Sequence, residues 1–261
     1  MKVRFIFNPH SGRNRRNPVL RELAAEAIAK YGWDRQVVDT ARPNHATELA
    51  HRAVDDGCEL VVAIGGDGTM NEVASALVGT PASLGLIPSD SGNGLGRHLG
   101  IPISPHEAFR LLAEGSRPLI DVGYLNSRPF FCAAGAGFEA IIAHRFSALT
   151  SRGFSGYLRE SARTWRHYRP EKFTVHHSHG SDSFEAFKLA IANTSQYGNN
   201  AFIAPGATID DGLLDLVAVS RVNLFNAAPL LFRLFHGSID RSASVRRIRS
   251  ARFIIERERD G

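Results

Sequence analysis

The sequence predicts an α/β protein in two parts. Residues 1–120 read as a doubly wound, mainly parallel α/β domain, and residues 121–261 as an antiparallel β-sheet domain. Three observations carry this prediction. Strand-like and helix-like segments alternate through the first part, which implies a mainly parallel sheet covered by helices. Three loops rich in glycine and small polar residues follow strands, where open α/β sheets bind ligands. Between Arg117 and Asp121 the rhythm changes, and later strands come as hairpins.

The elements follow in order. Val3 to Phe7 is an apolar strand, Pro18 to Lys30 a helix, Asp34 to Asp39 a strand and Ala46 to Asp56 a helix. Leu60 to Ile64, Met70 to Leu77 and Ser83 to Ile87 repeat the pattern as strand, helix and strand. Thr69 as N-cap, with Glu72 three residues on, reads as a capping box for the third helix. Ser104-Pro-His-Glu107 reads as a second box with proline at the first helical position, opening a helix that stops at Gly115. In the second part Leu119 to Leu125 and Pro129 to Ala134 flank a turn at Asn126-Ser127-Arg128. Further strands are expected at Lys172 to His177, Phe184 to Thr194, Leu214 to Ser220 and Arg249 to Glu256, with helices at about 138–168 and 222–237.

Composition bounds the function. The chain has 261 residues, 43% of them hydrophobic, which suffices for one large or two smaller cores. Cys58 and Cys132 lie in or beside apolar runs and form no disulfide framework, so a reducing cytosol is expected. Met1 runs directly into a strand, leaving no room for a signal peptide, and no apolar run reaches the roughly 20 residues of a spanning helix. A soluble or at most peripheral protein is expected. The formal charge is +5, and of 31 basic residues only Lys2, Lys30, Lys172 and Lys188 are lysine. Arginine forks suit phosphate and anionic lipid head groups, although most of these arginines read first as solvated surface set by codon bias. No recognition helix or RNP-type aromatic motif accompanies the charge, so no nucleic-acid partner is expected.

The most informative stretch is Val61-Val-Ala-Ile-Gly-Gly-Asp-Gly-Thr-Met-Asn-Glu-Val73, an apolar strand that runs into three glycines around one carboxylate and then into a helix. Gly65, Gly66 and Gly68 let a phosphate approach the main chain, and the first N–H groups of the helix favour negative charge. A carboxylate there would repel an anion unless a metal intervenes or it handles a proton, so Asp67 is the candidate for chemistry. Asn8-Pro-His-Ser-Gly12, with Arg13, Arg15 and Arg16 beside it, and Ile87-Pro-Ser-Asp-Ser-Gly-Asn-Gly-Leu-Gly-Arg97 follow two other strands and would converge on the same sheet edge.

Other patterns read as structure. No P-loop signature occurs. Gly135-Ala-Gly-Phe-Glu-Ala140 fits a dinucleotide fingerprint but lies in the hairpin region rather than in a βαβ unit. Asp210, Asp211 and Asp215 surround Gly212 in what reads first as a turn and hairpin, although hard cations also take such oxygens. His176, His177 and His179 read as a polar hairpin face. Phe154 to Tyr168 mixes aromatic residues and arginine; its aromatics read as core, with lipid contact as the alternative.

With these residues in view, the chain resembles the diacylglycerol kinase-like lipid kinase family, which includes bacterial lipid kinases and sphingosine kinases. The resemblance rests on Asn8-Pro-x-Ser-Gly12, Thr40 followed by His45-Ala46, Gly65-Gly-Asp-Gly-Thr-x-Asn-Glu72, Ser91-Gly-Asn93 leading to Leu99-Gly-Ile-Pro102, Gly135-x-Gly-Phe138 and Ala204-Pro-x-Ala-x-x-Asp-Asp-Gly-Leu213. It implies a nucleotide-binding α/β domain, a C-terminal β-sandwich-like domain and a lipid site in or near the cleft between them. It would place ATP against Asn8, Ser11, Thr40, Gly66, Asp67, Gly68, Thr69, Met70, Asn71 and Ser91, with Asp67 near the transferred phosphoryl group. It would place Mg²⁺ on the Asp211 carboxylate and the carbonyls of Thr208 and Leu213. The implied reaction is in-line attack of a lipid hydroxyl on the γ-phosphate of ATP, driven by positioning and charge neutralisation.

The implied partner is a membrane lipid at an anionic bilayer surface, met peripherally at the cytoplasmic face, and a homodimer is among the assemblies expected. Two departures qualify the resemblance. Gly94 stands where many diacylglycerol-type members carry Asp, which opens the acceptor to sphingoid or ceramide-like lipids. Of the family's late Asp-Gly-Glu, either Asp260-Gly261 is the remnant or the motif lies further on, the second domain then lacking its C-terminal end; no such glutamate stands in these 261 residues, which leaves the activity of this chain open. An NAD kinase, whose family also uses Gly-Gly-Asp-Gly-Thr, and a non-catalytic nucleotide- or lipid-binding module remain as alternatives.

Overall fold

A computed structural model of the 261-residue chain describes residues 1–12, 14, 19–90, 92–138, 163–164, 168–223 and 225–258. The chain divides into two compact units, Met1–Leu119 and Ile120–Gly261.

In the first unit, β1 (Lys2–Phe7), α1 (Val19–Tyr31), β2 (Asp34–Asp39), α2 (His45–Asp55), β3 (Leu60–Gly65), α3 (Asp67–Leu77) and β4 (Ser83–Pro88) alternate, followed by α4 (Gly94–His98) and α5 (Pro105–Glu114). The strands form one parallel sheet in the order β2-β1-β3-β4. All six residues of β3 are buried, as a parallel strand covered on both faces requires. Val3, Phe5 and Phe7 of β1 and Leu60, Val62 and Ile64 of β3 pack on Leu20, Ala24 and Ile28 of α1 and on Phe109 of α5. The intervening Ile6, Val61 and Ala63 turn to the opposite face, where α2 and α3 pack together against β1 and β3. Chain direction along the sheet reverses between β1 and β3, so the loops leaving these two strands diverge to opposite faces. The crevice between them is the topological switch point of a doubly wound sheet.

Two capping expectations are corrected. The N-cap of α3 is the extended Gly66 (φ −95°, ψ −170°), so Thr69 lies inside the first turn and is buried. Its partner residue Glu72 does not reach back to its own helix. Oε2 of Glu72 accepts the Ala46 N–H at 3.1 Å instead, capping the start of α2. The reason is tertiary: α2 and α3 pack side by side, and the shorter reach lies across that contact. Ser104 is the N-cap of α5 with Pro105 at the first helical position, but its side chain makes no capping hydrogen bond. The helix ends at Gly115, as expected.

In the second unit, β5 (Gly123–Leu125) and β6 (Arg128–Phe130) form a hairpin around Asn126-Ser127, with Asn126 in the left-handed region at φ 54°. The strand expected from Leu119 is therefore shorter, and Arg128 belongs to β6 rather than to the turn. β7 (Ala133–Gly137), β8 (Glu171–His177), β9 (Gly180–Ala186), β10 (Lys188–Ala192), β11 (Leu214–Val219), α6 (Ala227–Phe235), β12 (Val245–Ser250) and β13 (Ile254–Arg257) follow. β12-β11-β10-β7 forms one antiparallel sheet and β13-β8-β9 a second.

The segments expected as single strands at Phe184–Thr194 and Arg249–Glu256 each break in two, because each passes from one sheet to the other. At the first crossing the Phe187 N–H reaches the carbonyls of Val219 and Ser220. Phe173, Val175 and Ala186 of the smaller sheet interdigitate with Leu189, Leu216 and Ala218 of the larger one. The larger sheet's other face, Ala190, Ala192, Val217 and Val219, is covered by Ile203, Ala204, Ala207, Leu230 and Ile239. This is a sandwich of two sheets with one extra layer. The helix expected at about 138–168, and with it Phe154 to Tyr168, falls almost entirely outside the described residues.

Candidate nucleotide-phosphate site

Three loops meet at the carboxyl edge of the sheet in the first unit. Each leaves a strand: Asn8 to Gly12 after β1, the turn at Gly66 that joins β3 to α3, and Ser89, Asp90, Gly92 and Asn93 after β4. Their ends are fixed by the strand ladder carried one step further. The Asn8 N–H donates to the Ile64 carbonyl at 3.0 Å, and the Ser89 N–H donates to the Gly65 carbonyl at 3.0 Å.

Side chains then tie loop to loop. Nδ2 of Asn8 donates to Oγ1 of Thr69 at 2.8 Å, while its Oδ1 accepts the His10 N–H at 2.9 Å. Oγ of Ser89 donates to Oγ of Ser11 at 3.1 Å, and Ser11 donates to Oδ2 of Asp90 at 2.9 Å. Asn8 and Ser11, two of the sequence-derived candidates, thus serve as braces between loops. Thr40 is buried at the end of β2, its N–H donating to the Phe7 carbonyl at 2.9 Å. Met70 is buried, and its N–H donates to the Gly66 carbonyl as the first bond of α3. The N–H groups of Gly68 and Thr69 precede it and lack an intrahelical carbonyl acceptor, which makes this helix end attractive to an anion, while the Asp67 N–H is engaged by its own carboxylate. Asn71 follows within α3, where its carbonyl accepts Oγ of Ser75 at 2.6 Å.

Asp67 has a definite structural task. Its Oδ1 accepts the Gly94 N–H at 2.7 Å and its Oδ2 accepts the Asn93 N–H at 2.8 Å, so one carboxylate closes the β3 loop onto the start of α4. Asn93 sits at φ 52°, and Nε of Arg97 donates to the Gly92 carbonyl at 2.9 Å from within the same short helix. Burial pushes the Asp67 carboxyl pKa upward. The N–H groups of Gly94 and Asn93 oppose this by favouring the charged form, and the neighbouring Asp90 charge adds to the rise. α4 was not foreseen, since Gly94-Leu-Gly-Arg-His98 has two glycines and no cap of its own. Its cap is Asp67, distant in sequence.

The glycines differ in what they are for. A Cβ at Gly65 would collide with the Thr69 side chain, and one at Gly66 or Gly12 with the Asp90 carboxylate. Gly68 is exposed and meets nothing within 4 Å. Sequence reading missed Asp90 because the central glycines of the β3 loop drew attention to the acid between them. The signal was Pro88-Ser-Asp-Ser-Gly92, an acid inside a glycine-rich loop after another strand. Arg13, Arg15, Arg16 and Ser91 lie outside the described residues.

The loop proposed for Mg²⁺ lies in the second unit. Oδ1 of Asp211 accepts the Leu213 N–H at 3.0 Å, closing a turn in which Gly212 stands at φ 71°, and Oδ2 is ion-paired with Arg249. The Gly212 N–H donates to Oδ2 of Asp121 at 2.6 Å. Thr208 is exposed. Asp215 is buried and paired with Arg247 at 2.6 Å, whose Nη1 also donates to the Pro205 carbonyl. A divalent cation here would have to displace the Arg249 guanidinium from the one carboxylate of the set. No group of three metal-ligating side chains occurs among the described residues. The arrangement shown is a braced turn whose one carboxylate is already paired with a guanidinium. His176 and His177 lie on the β8–β9 hairpin, bonded to Ser181 and Asp182. β7, which carries Gly135 and Gly137, pairs antiparallel with β10 and is no part of a βαβ unit.

The residues around this site match known proteins along the whole chain. Residues 2–125 match the diacylglycerol kinase catalytic domain, and residues 132–261 match the YegS C-terminal NAD kinase beta sandwich-like domain. The chain is 33% identical over 216 residues to a Chromohalobacter salexigens protein named "Probable lipid kinase YegS-like", covering 80% of this chain and 69% of that one. This chain belongs to the diacylglycerol kinase-like lipid kinase family. It is also 28% identical over 227 residues to a diacylglycerol kinase of Staphylococcus saprophyticus, covering 85% of this chain and 74% of the relative. A crystal structure of a diacylglycerol kinase from Bacillus anthracis str. Sterne superposes with a TM-score of 0.73 at 20% identity, over 99% of this chain and 86% of that one. That likeness shows the family fold, an α/β unit followed by a sandwich.

Proposed function

We propose that this protein transfers the γ-phosphate of ATP to the hydroxyl of a membrane lipid, of diacylglycerol or sphingoid type, at the cytoplasmic face of the membrane. The observation that carries the reading is the first turn of α3 at the switch point. Gly68 there leaves open space beside N–H groups without helical acceptors, and the braced loops after β1 and β4 flank it. Membership of a lipid kinase family supplies the reaction class. The braces support catalysis by positioning, since Asn8, Ser11 and Asp67 hold the loops to one another. No described helix is long and apolar enough to cross a membrane, so contact with lipid is proposed at the surface of the bilayer.

The test is a radiolabelled ATP assay with diacylglycerol, sphingoid base, ceramide and phosphatidylglycerol in mixed micelles, run on the wild type and on Gly68→Ala. Phosphorylation of one lipid, reduced in the variant, is expected. Label appearing on NAD instead would select an NAD kinase, whose beta sandwich the C-terminal family match is described as resembling. ATP and vesicle binding without turnover on any acceptor would select a non-catalytic module.

A further inference from the structure

Asp90 places a negative charge where the loops would receive a negative ligand. Its Oδ2 accepts the Ser11 hydroxyl at 2.9 Å, and Ser11 is itself held by Ser89. Its carboxylate lies over the α-carbons of Gly12 and Gly66 together, so closely that a methyl group on either glycine would collide with it. The backbone from which it projects is fixed as well, since Nδ2 of Asn93 donates to the Asp90 carbonyl. Gly66 therefore makes room for a carboxylate in this conformation, as does Gly12, where the left-handed backbone and the Ser89 carbonyl also call for glycine. Gly68, two residues beyond Gly66, stays open.

We propose that Asp90 is an acidic gate on the phosphate site, excluding phosphate anions that arrive without a counter-charge. The proposal rests on the nucleotide reading above. A fixed carboxylate a few ångströms from an incoming phosphate opposes it by Coulomb repulsion that is strong in a partly buried crevice. An anion must either drive the side chain off Ser11 or bring its own cation. The gate thus sets which charge state of a nucleotide the site accepts. It distinguishes Gly12 and Gly66, which lie against the gate, from Gly68, which is left for the ligand.

The experiment is calorimetric titration of wild type and Asp90→Asn with ATP in EDTA, with adenosine as the uncharged probe. Asparagine keeps the size of the side chain and an acceptor for Ser11, and thermal melting checks that the fold is retained. Removal of one charge at this range is expected to tighten metal-free ATP binding by about tenfold or more while leaving adenosine binding within about twofold. Equal or weaker ATP binding by Asp90→Asn overturns the gate while leaving the nucleotide reading intact. A parallel gain for adenosine also overturns it, since the effect would then not be one of charge. Failure of both proteins to bind ATP, with or without Mg²⁺, overturns the nucleotide reading and the gate with it.

Discussion

Asp67 was the candidate for chemistry on the strength of its position between glycines, and the structure gives it two backbone N–H groups to hold. These bonds predict different outcomes for two substitutions. Asp67→Ala removes both acceptors and leaves two N–H groups at the start of α4 unmatched, costing about 2–4 kcal/mol in a urea unfolding titration. Asp67→Asn retains one acceptor and is expected to cost about half as much. The raised carboxyl pKa adds a pH dependence with a definite sign. An acid whose folded-state value exceeds its unfolded value adds stability below the ordinary carboxylate range and loses it as pH rises through the folded-state value. Carbon-detected NMR titration is expected to place the Asp67 midpoint above those of solvated aspartates; a midpoint at or below them would contradict the burial argument. Gly68 gives the complementary case. Its added methyl meets open space, and alanine is the better helix former, so Gly68→Ala is expected to raise stability by up to about 1 kcal/mol while weakening ATP binding. A loss of both would mean that Gly68 is needed by the fold.

At the scale of elements, the parallel sheet was legible because β3 is a continuous apolar run, β1 is apolar but for Lys2 and Arg4, and the helices between them are amphipathic. The helix starts were not, because the residues that look like local caps work elsewhere: Glu72 caps α2 and Asp67 caps α4. Nothing in local sequence reports a partner 26 residues away. The breaks at Phe187 and at 251–253 were missed for a related reason. Hydrophobic alternation continues through them while the chain changes sheets, and the change is imposed by what packs on either side. The site was legible in its glycines and in Asp67, whereas Asp90 emerged only when three loops were seen together. In the second unit the key pair is Asp215 and Arg247. Arg247→Ala strands the Asp215 carboxylate, which is 2% exposed, leaving it Arg249 at 3.5 Å among the described residues, and frees the Pro205 carbonyl. A loss of about 3 kcal/mol in urea unfolding is expected; a change under about 1 kcal/mol would show that Arg249 takes over the pairing.

For the whole molecule, the division at Leu119 and Ile120 separates an α/β core from a sandwich core, each assembled from its own residues. Residues 1–119 expressed alone are therefore expected to fold, with a cooperative thermal transition and helical circular dichroism. A featureless melt would show that the core around Phe5 and Phe109 needs the second unit. Within the sandwich, the two crossings at Phe187 and at 251–253 have a mechanical consequence. A segment that belongs to both sheets acts as a stitch, so neither layer can slide past the other without unzipping ladder bonds in both. Drawn from its ends under force, this unit would resist as one block and then rupture in a single step. Its amides in β8, β10 and β11 would exchange with solvent at one shared rate.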